Sequence, residues 1–371
     1  MIYPKNWEKV TCHDWYSDEK KIWLCLENKN AICEIDKKDK NVKILGSFPH
    51  NGLGDIDLSL SLEKCGDYII FCPFKANDIA VLNRYTGSLE FIDLLDIFKE
   101  NKDVYAGVEK FYRMVSHKNY VYFFGIKYPA IMRLDLITKK IELFDEWLEL
   151  INKYRCKDAV LFTDGYARNG NEIYLPIGRC NGVLKINLDT INWNFIEIKY
   201  VKHGILGMTQ KDNYVWFTEY DIGAKNFFQW NLKSGEIVQI KLPCKDAFYA
   251  PLYYDKSLMF FRNYGEKSFQ YNLISGDWID IASMLPGIEN SSDKKVQENK
   301  IDYFANKSKR FYHWDTKKNT ICYDEILIKE KDFLEKSWDD YCKQYKQKLK
   351  DHVIIENRLT IKEYIEIIGN T

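Results

Sequence analysis

The sequence predicts an all-β fold, a seven-bladed β-propeller followed by a C-terminal helical extension, and three observations carry that reading. An apolar run ending in Asn or Asp recurs seven times along the 371 residues. Another β-rich run precedes each copy, so that four strands fall in every ~40 to 50 residues, the spacing of propeller blades. Aromatic residues make up 15% of the chain, a bias towards pleated, half-buried surface. With 46% hydrophobic and 29% charged residues and only 8 Pro, the composition is that of a packed chain rather than a disordered one.

The recurring runs are Ile32–Asp36, Ile79–Asn83, Ile131–Asp135, Val183–Asn187, Phe227–Asn231, Phe269–Asn272 and Phe311–Asp315. Their last residues are separated by 47, 52, 52, 44, 41 and 43 positions. Four of the segments that follow are closely alike, namely Asn83–Gly87, Asp135–Lys139, Asn231–Gly235 and Asn272–Gly276. Asn or Asp opens such a turn by accepting backbone N–H groups two residues on, and Gly supplies the positive φ that closes it. Each Asn or Asp is therefore expected to end the third strand of its blade. The second strands are the runs that begin at Ile22, Tyr68, Tyr120, Ile173, Tyr214, Leu258 and Ile301, and first strands are expected at Lys110–Val115 and Ala159–Phe162. A two-sheet sandwich does not account for seven copies of one strand–turn–strand unit. Ring closure requires an early or late strand, with Met1–Trp7 or Val353–Ile355 as candidates.

Residues 1–328 are thus read as the propeller and 329–371 as a helical tail packed on it. In the tail Leu334, Trp338, Tyr341, Tyr345 and Leu349 form an apolar stripe at helical spacing. Thr360–Glu363 reads as a capping box that opens a last helix over Ile361–Ile368.

Charge and cysteine content limit the function classes. The 54 Lys and Arg balance 54 Asp and Glu, which argues against nucleic-acid binding through bulk positive charge. No stretch approaches the ~18 apolar residues of a membrane span, and the N-terminal segment lacks the apolar core of a signal peptide. The ten cysteines include no Cys-x-x-Cys pair and no Cys/His cluster of zinc spacing. They read as reduced thiols of a cytoplasmic protein.

The candidate site residues lie where strands end. Lys75, Lys127 and Arg179 stand 52 and 52 residues apart, at equal distance past the second strand of consecutive blades, and Arg262 ends the same strand two positions earlier. On one rim, four cations would focus positive potential on an anionic small molecule, a glycan or an acidic partner protein. The alternative is a solvated face of a Lys-rich protein. Leading into first strands, Cys156-Lys-Asp158-Ala and Cys244-Lys-Asp246-Ala repeat one tetrapeptide, and His203 lies between them. Asp158, His203 and Asp246 would then project near the channel mouth, with Glu219 beside His203 as a general-base or metal-binding pair; Asp capping of loop amides is the plainer alternative. His50, in the turn-rich segment Phe48–Gly54, is placed on the same rim. Neither a Gly-rich phosphate loop nor a nucleophile elbow nor His-Glu-x-x-His occurs.

One blade carries a resemblance. His203-Gly-Ile, Asp212–Glu219, Trp230–Ile237 and Leu242-Pro243 resemble a repeat of the virginiamycin B lyase type of seven-bladed propeller, over about 40 residues. That family works with a His, neighbouring Glu residues and Mg²⁺. The resemblance implies, as the alternative to a non-catalytic binding module without cofactor, a metal-assisted lyase or glycan-acting enzyme centred on His203 and Glu219. The other six blades depart from the pattern and supply no second Glu.

Overall fold

Each blade is a four-stranded antiparallel sheet in sequence order, and seven occur. The structure is a computed structural model that describes residues 7–52, 54–99, 109–154, 160–221, 223–261, 267–285, 294–297, 299–305, 308–329 and 332. After β1 (Trp7–Lys9), blade 1 is Trp15–Ser17, Lys21–Cys25, Ile32–Asp36 and Val42–Gly46 (β2 to β5). Blade 2 is Leu62–Cys65, Tyr68–Phe71, Asp78–Asn83 and Leu89–Asp93 (β6 to β9). Blade 3 is Phe111–His117, Tyr120–Gly125, Ile131–Asp135 and Ile141–Phe144 (β10 to β13), and blade 4 is Ala167–Asn169, Glu172–Pro176, Gly182–Asn187 and Asn192–Glu197 (β14 to β17). Blade 5 is Ile205–Lys211, Tyr214–Glu219, Asn226–Asn231 and Ile237–Lys241 (β18 to β21). Blade 6 is Leu252–Tyr254, Ser257–Phe261, Ser268–Asn272 and Trp278–Asp280 (β22 to β25). Blade 7 is Lys295–Gln297, Lys300–Ala305, Arg310–Asp315 and Thr320–Asp324 (β26 to β29), followed by β30 (Leu327–Lys329). The fold is the seven-bladed β-propeller that the repeat predicts.

Burial explains why the second strands are continuous apolar runs. Every residue of β23 is buried, as is all of β11, β19 and β27 after the first residue, because these strands are covered on both faces. Fourth strands such as β9 and β21 have no fully buried residue. Their residues are half-buried or exposed, as in edge strands that lie half in water.

The turn after each third strand is the most regular feature. All seven Asn/Asp positions end that strand. In blade 5 the Asn231 side-chain oxygen accepts the N–H groups of Lys233 at 2.9 Å and Ser234 at 3.2 Å, and the Asn231 carbonyl accepts Gly235 N–H at 2.8 Å. Asp135 does the same for Ile137 (2.8 Å), Thr138 (3.2 Å) and Lys139 (2.8 Å). The backbone bonds to Ile137 hold the Asp135 carboxyl below the usual carboxylate range. The residue four past the Asn or Asp has positive φ in every copy, including the non-glycines Lys40, Lys139, Ile191 and Asn319.

By internal contacts the chain divides into two compact units, residues 1–100 with 309–311 and 324–371, and residues 101–308 with 312–323. The first holds blades 1 and 2, whose shared core includes Trp23, Phe48, Leu58, Phe71 and Leu82. It also holds β1 and β30, which pair antiparallel with Glu8 opposite Ile328. Trp7 belongs to the expected early closing segment, but β1 and β30 form a separate two-stranded sheet instead of completing a blade. Glu325, just before β30, pairs with Lys9 of β1 and with Arg310 at the start of β28, each at 3.1 Å.

The second unit holds blades 3 to 6 and the rest of blade 7, with separate cores between blades 3 and 4, 4 and 5, and 5 and 6. The first strand of blade 4 is β14; of the run expected there, Ala159 lies outside the described residues and Phe162 makes an isolated bridge to Ile177. Among the described residues two short α-helices interrupt the blade connections, α1 (Leu95–Lys99) and α2 (Trp147–Asn152). Sequence periodicity missed both because they are single turns. In α2, Trp147 and Ile151, one turn apart, are buried, with Trp147 4.9 Å from the Phe162 ring. Lys329, read as the first residue of the helical tail, instead ends β30; beyond it only Asp332 is described, and the rest of the predicted tail and the Val353–Ile355 candidate lie outside the described residues.

Eight cysteines (12, 25, 33, 65, 72, 180, 244 and 322) are outside any disulfide, and burial pushes the Cys25 thiol up to about 12. No helix among the described residues is long and apolar enough to cross a membrane.

Lys139 has φ 61°, a conformation that costs a side chain roughly 1 to 2 kcal/mol, against about 0.5 to 1 kcal/mol for the greater loss of chain entropy of glycine. Lys139→Gly is therefore expected to raise stability by about 1 kcal/mol in denaturant unfolding, with an unchanged m-value.

Candidate functional site

The connections that leave the second strand of a blade, and those that lead into the first strand of the next, emerge at the same end of the blade. Nearly all the residues singled out above lie on them. In the second unit, Arg179 sits in the β15–β16 connection, exposed and at φ 49°. Its guanidinium stands 5.6 Å from the ring of Tyr220, an exposed residue just past β19. The next connection approaches closely: a Cβ on Gly204, itself at φ 91°, would lie 2.6 Å from the Arg179 Cα. Only glycine admits that contact. Lys202 and His203, both exposed, immediately precede it. The Tyr220 N–H donates to the Gly204 carbonyl at 2.8 Å, so three connections are tied together around Arg179.

His203 and Glu219 do not meet in the way their sequence positions suggested. Glu219 is 9% exposed and accepts the Lys202 N–H at 2.8 Å. The carboxylate nearest His203 is Asp221, at 3.8 Å from Nε2. Asp246 is buried and accepts the Ala247 N–H at 2.9 Å, the amide-capping role that Asp often takes at loop starts. Lys127, in the β11–β12 connection, is ion-paired with Glu109. Asp158 and Arg262 lie outside the described residues.

In the first unit Lys75 lies in the β7–β8 connection and donates to Asp57 Oδ2 at 3.0 Å. Asp57, at φ 54°, has His13 Nε2 at 3.0 Å from its other oxygen, and Glu27 is 3.9 Å from the same ring nitrogen. The Asp57 N–H donates to the Glu27 carbonyl at 2.9 Å, which fixes the cluster on two connections of blades 1 and 2. Burial alone would raise the Asp57 carboxyl, but the hydrogen bonds and charges of His13 and Lys75 outweigh it and hold the group below the usual carboxylate range. His50 lies in the connection from blade 1 to blade 2, with Nδ1 at 2.7 Å from Asp78 Oδ1 and 3.6 Å from Asp93 Oδ1.

Lys75, Lys127 and Arg179 thus lie on the connections where their spacing puts them, but their surroundings are not legible in the sequence. Asp57, Glu27, Asp78, Asp93, Tyr220 and Asp221 carry no motif; the available signal was their place within a few residues of a strand end, where the cations had been sought.

No protein-family model matches the sequence, and no curated protein matches it. Among solved structures, virginiamycin B lyase from Staphylococcus aureus superposes with a TM-score of 0.58 at 16% identity, over 80% of this chain and 94% of that one. A chain of the mitotic checkpoint complex gives 0.59 at 8% identity over 84% and 94%, and BamB from Moraxella catarrhalis gives 0.55 at 8% identity over 86% and 89%. The lyase to which blade 5 is similar is thus among the structures of this fold. At these identities the likeness is one of fold.

The Asp57 carboxylate adds stability above the ordinary carboxylate range, and that contribution is lost as pH falls through that range to its lower folded value. Asp57→Asn is expected to flatten the acid limb of the stability curve below about pH 5, measured by urea unfolding at a series of pH values. An acid limb identical to that of the parent chain would contradict the assignment.

Proposed function

We propose that the chain is a binding module that takes an anionic small molecule, an acidic glycan or an acidic segment of a partner protein on the connections around Arg179. One observation carries this reading: Arg179 is exposed and has no carboxylate partner among the described residues, whereas Lys75 and Lys127 each have one. A guanidinium presents a planar fork of donors that matches a carboxylate or phosphate in two parallel hydrogen bonds. The Tyr220 ring beside it adds an apolar face that suits a sugar or a planar acid, and Lys202 adds positive charge on the neighbouring connection. The left-handed backbone of Arg179 and the close approach of Gly204 hold this platform in place before a ligand arrives, which lowers the ordering cost of binding.

A lyase centred on His203 and Glu219 with Mg²⁺ has weaker support, because a backbone N–H occupies Glu219 and His203 faces Asp221. Eight cysteines outside any disulfide, six of them buried, support a reducing compartment such as the cytoplasm as the place of action.

Calorimetric titration of the full chain with citrate, glucuronate and an acidic peptide tests the reading. Saturable binding of at least one is expected, weakening as salt rises. Arg179→Ala should weaken it by roughly ten- to hundredfold, the worth of ~1.5 to 3 kcal/mol for a charge-assisted contact. Equal affinity in Arg179→Ala for every anion the parent binds, or no saturable binding at all, would remove the proposal.

A further inference from the structure

The first unit contains a second kind of imbalance, unrelated to Arg179. In the His13, Glu27 and Asp57 cluster, Lys75 supplies a positive charge at 3.0 Å. The cluster of His50, Asp78 and Asp93 has no such partner: no Lys or Arg among the described residues pairs with either carboxylate, and both converge on the His50 Nδ1. One ligand atom from each residue lies within 4.8 Å of the others. The Asp78 side chain is fully buried at the first position of β8, where an ionised carboxylate is costly unless a positive group faces it.

The support around these atoms is built. The His50 N–H donates to Asp78 Oδ2 at 3.1 Å, and Asn77 Nδ2 donates to the His50 carbonyl at 3.0 Å. Asn51 Oδ1 accepts the Asn77 N–H at 2.9 Å, and Asp93 Oδ1 accepts the Leu95 N–H at 2.7 Å. Hydrogen bonds of this kind orient metal ligands and fix their geometry. About a third of His50 and half of Asp93 remain exposed, which leaves an outward side for entry and for water.

We propose that His50, Asp78 and Asp93 bind one divalent first-row metal ion. The His50 Nδ1 loses its proton to solvent, and its lone pair, with one oxygen from each carboxylate, takes the ion in the proton's place. One imidazole nitrogen with two carboxylate oxygens suits Mn²⁺, Fe²⁺ or Zn²⁺.

The test uses the full chain and Mn²⁺, a poorly thiophilic ion for which the ten cysteines are weak ligands. Titration followed by the electron paramagnetic resonance of the free ion should show one saturable site. Binding should weaken at least tenfold in Asp93→Asn, whose exposed position leaves the fold intact by circular dichroism. Asp93→Glu should recover most of it. Because metal displaces a proton, affinity should also fall from about pH 7.5 to about pH 5.5. Glu27→Gln should bind as the parent does. No saturable binding, parental affinity in Asp93→Asn, or loss in Glu27→Gln would each overturn the proposal, the last by moving the ion to the His13 cluster.

Discussion

The side-chain oxygen of an Asn or Asp, held against two backbone N–H groups at the end of a third strand, is the interaction on which the rest of the architecture depends. It satisfies donors that a tight turn would otherwise leave without partners, and the left-handed residue four positions on returns the chain as the fourth strand. Because the turn length is the same in every blade, the register between third and fourth strands follows from it. The opposite end of each blade is free of this constraint. Its connections differ in length and content, and there the candidate binding groups are found.

That division also explains what could be read from the sequence. The turn is local: Asp135 and the amides it binds lie within four residues, so seven copies stand out without knowledge of any contact. Second strands are legible because burial on both faces demands continuous apolar runs. First strands are harder, as β14 shows, because only three residues are needed and a neighbouring apolar run at 159–162 looks stronger. Helix α2 was invisible because one turn has room for a single buried pair, Trp147 and Ile151.

The site was half legible for the same reason. Equal spacing located Lys75, Lys127 and Arg179, since position past a strand is a local property. Whether each cation is neutralised depends on residues brought from elsewhere: Asp57 lies 18 positions from Lys75 and 44 from His13, and Glu109 lies 18 from Lys127. Glu219 had the right position and the wrong employment, because the Lys202 amide needs an acceptor. The chain as a whole is charge-balanced, and Lys75 and Lys127 each face a carboxylate. The two proposed sites differ from these: among the described residues Arg179 has no carboxylate partner, and Asp78 and Asp93 share His50 and no lysine or arginine.

Equilibrium unfolding of Asn231→Ala set beside Asn231→Asp tests the dependence of the blades on their turns most directly. Alanine removes both side-chain hydrogen bonds at 2.9 and 3.2 Å and should cost about 1 to 2 kcal/mol. Aspartate keeps the acceptor and should cost much less. An alanine variant within ~0.5 kcal/mol of the parent chain, the range of an ordinary surface substitution, would contradict the account.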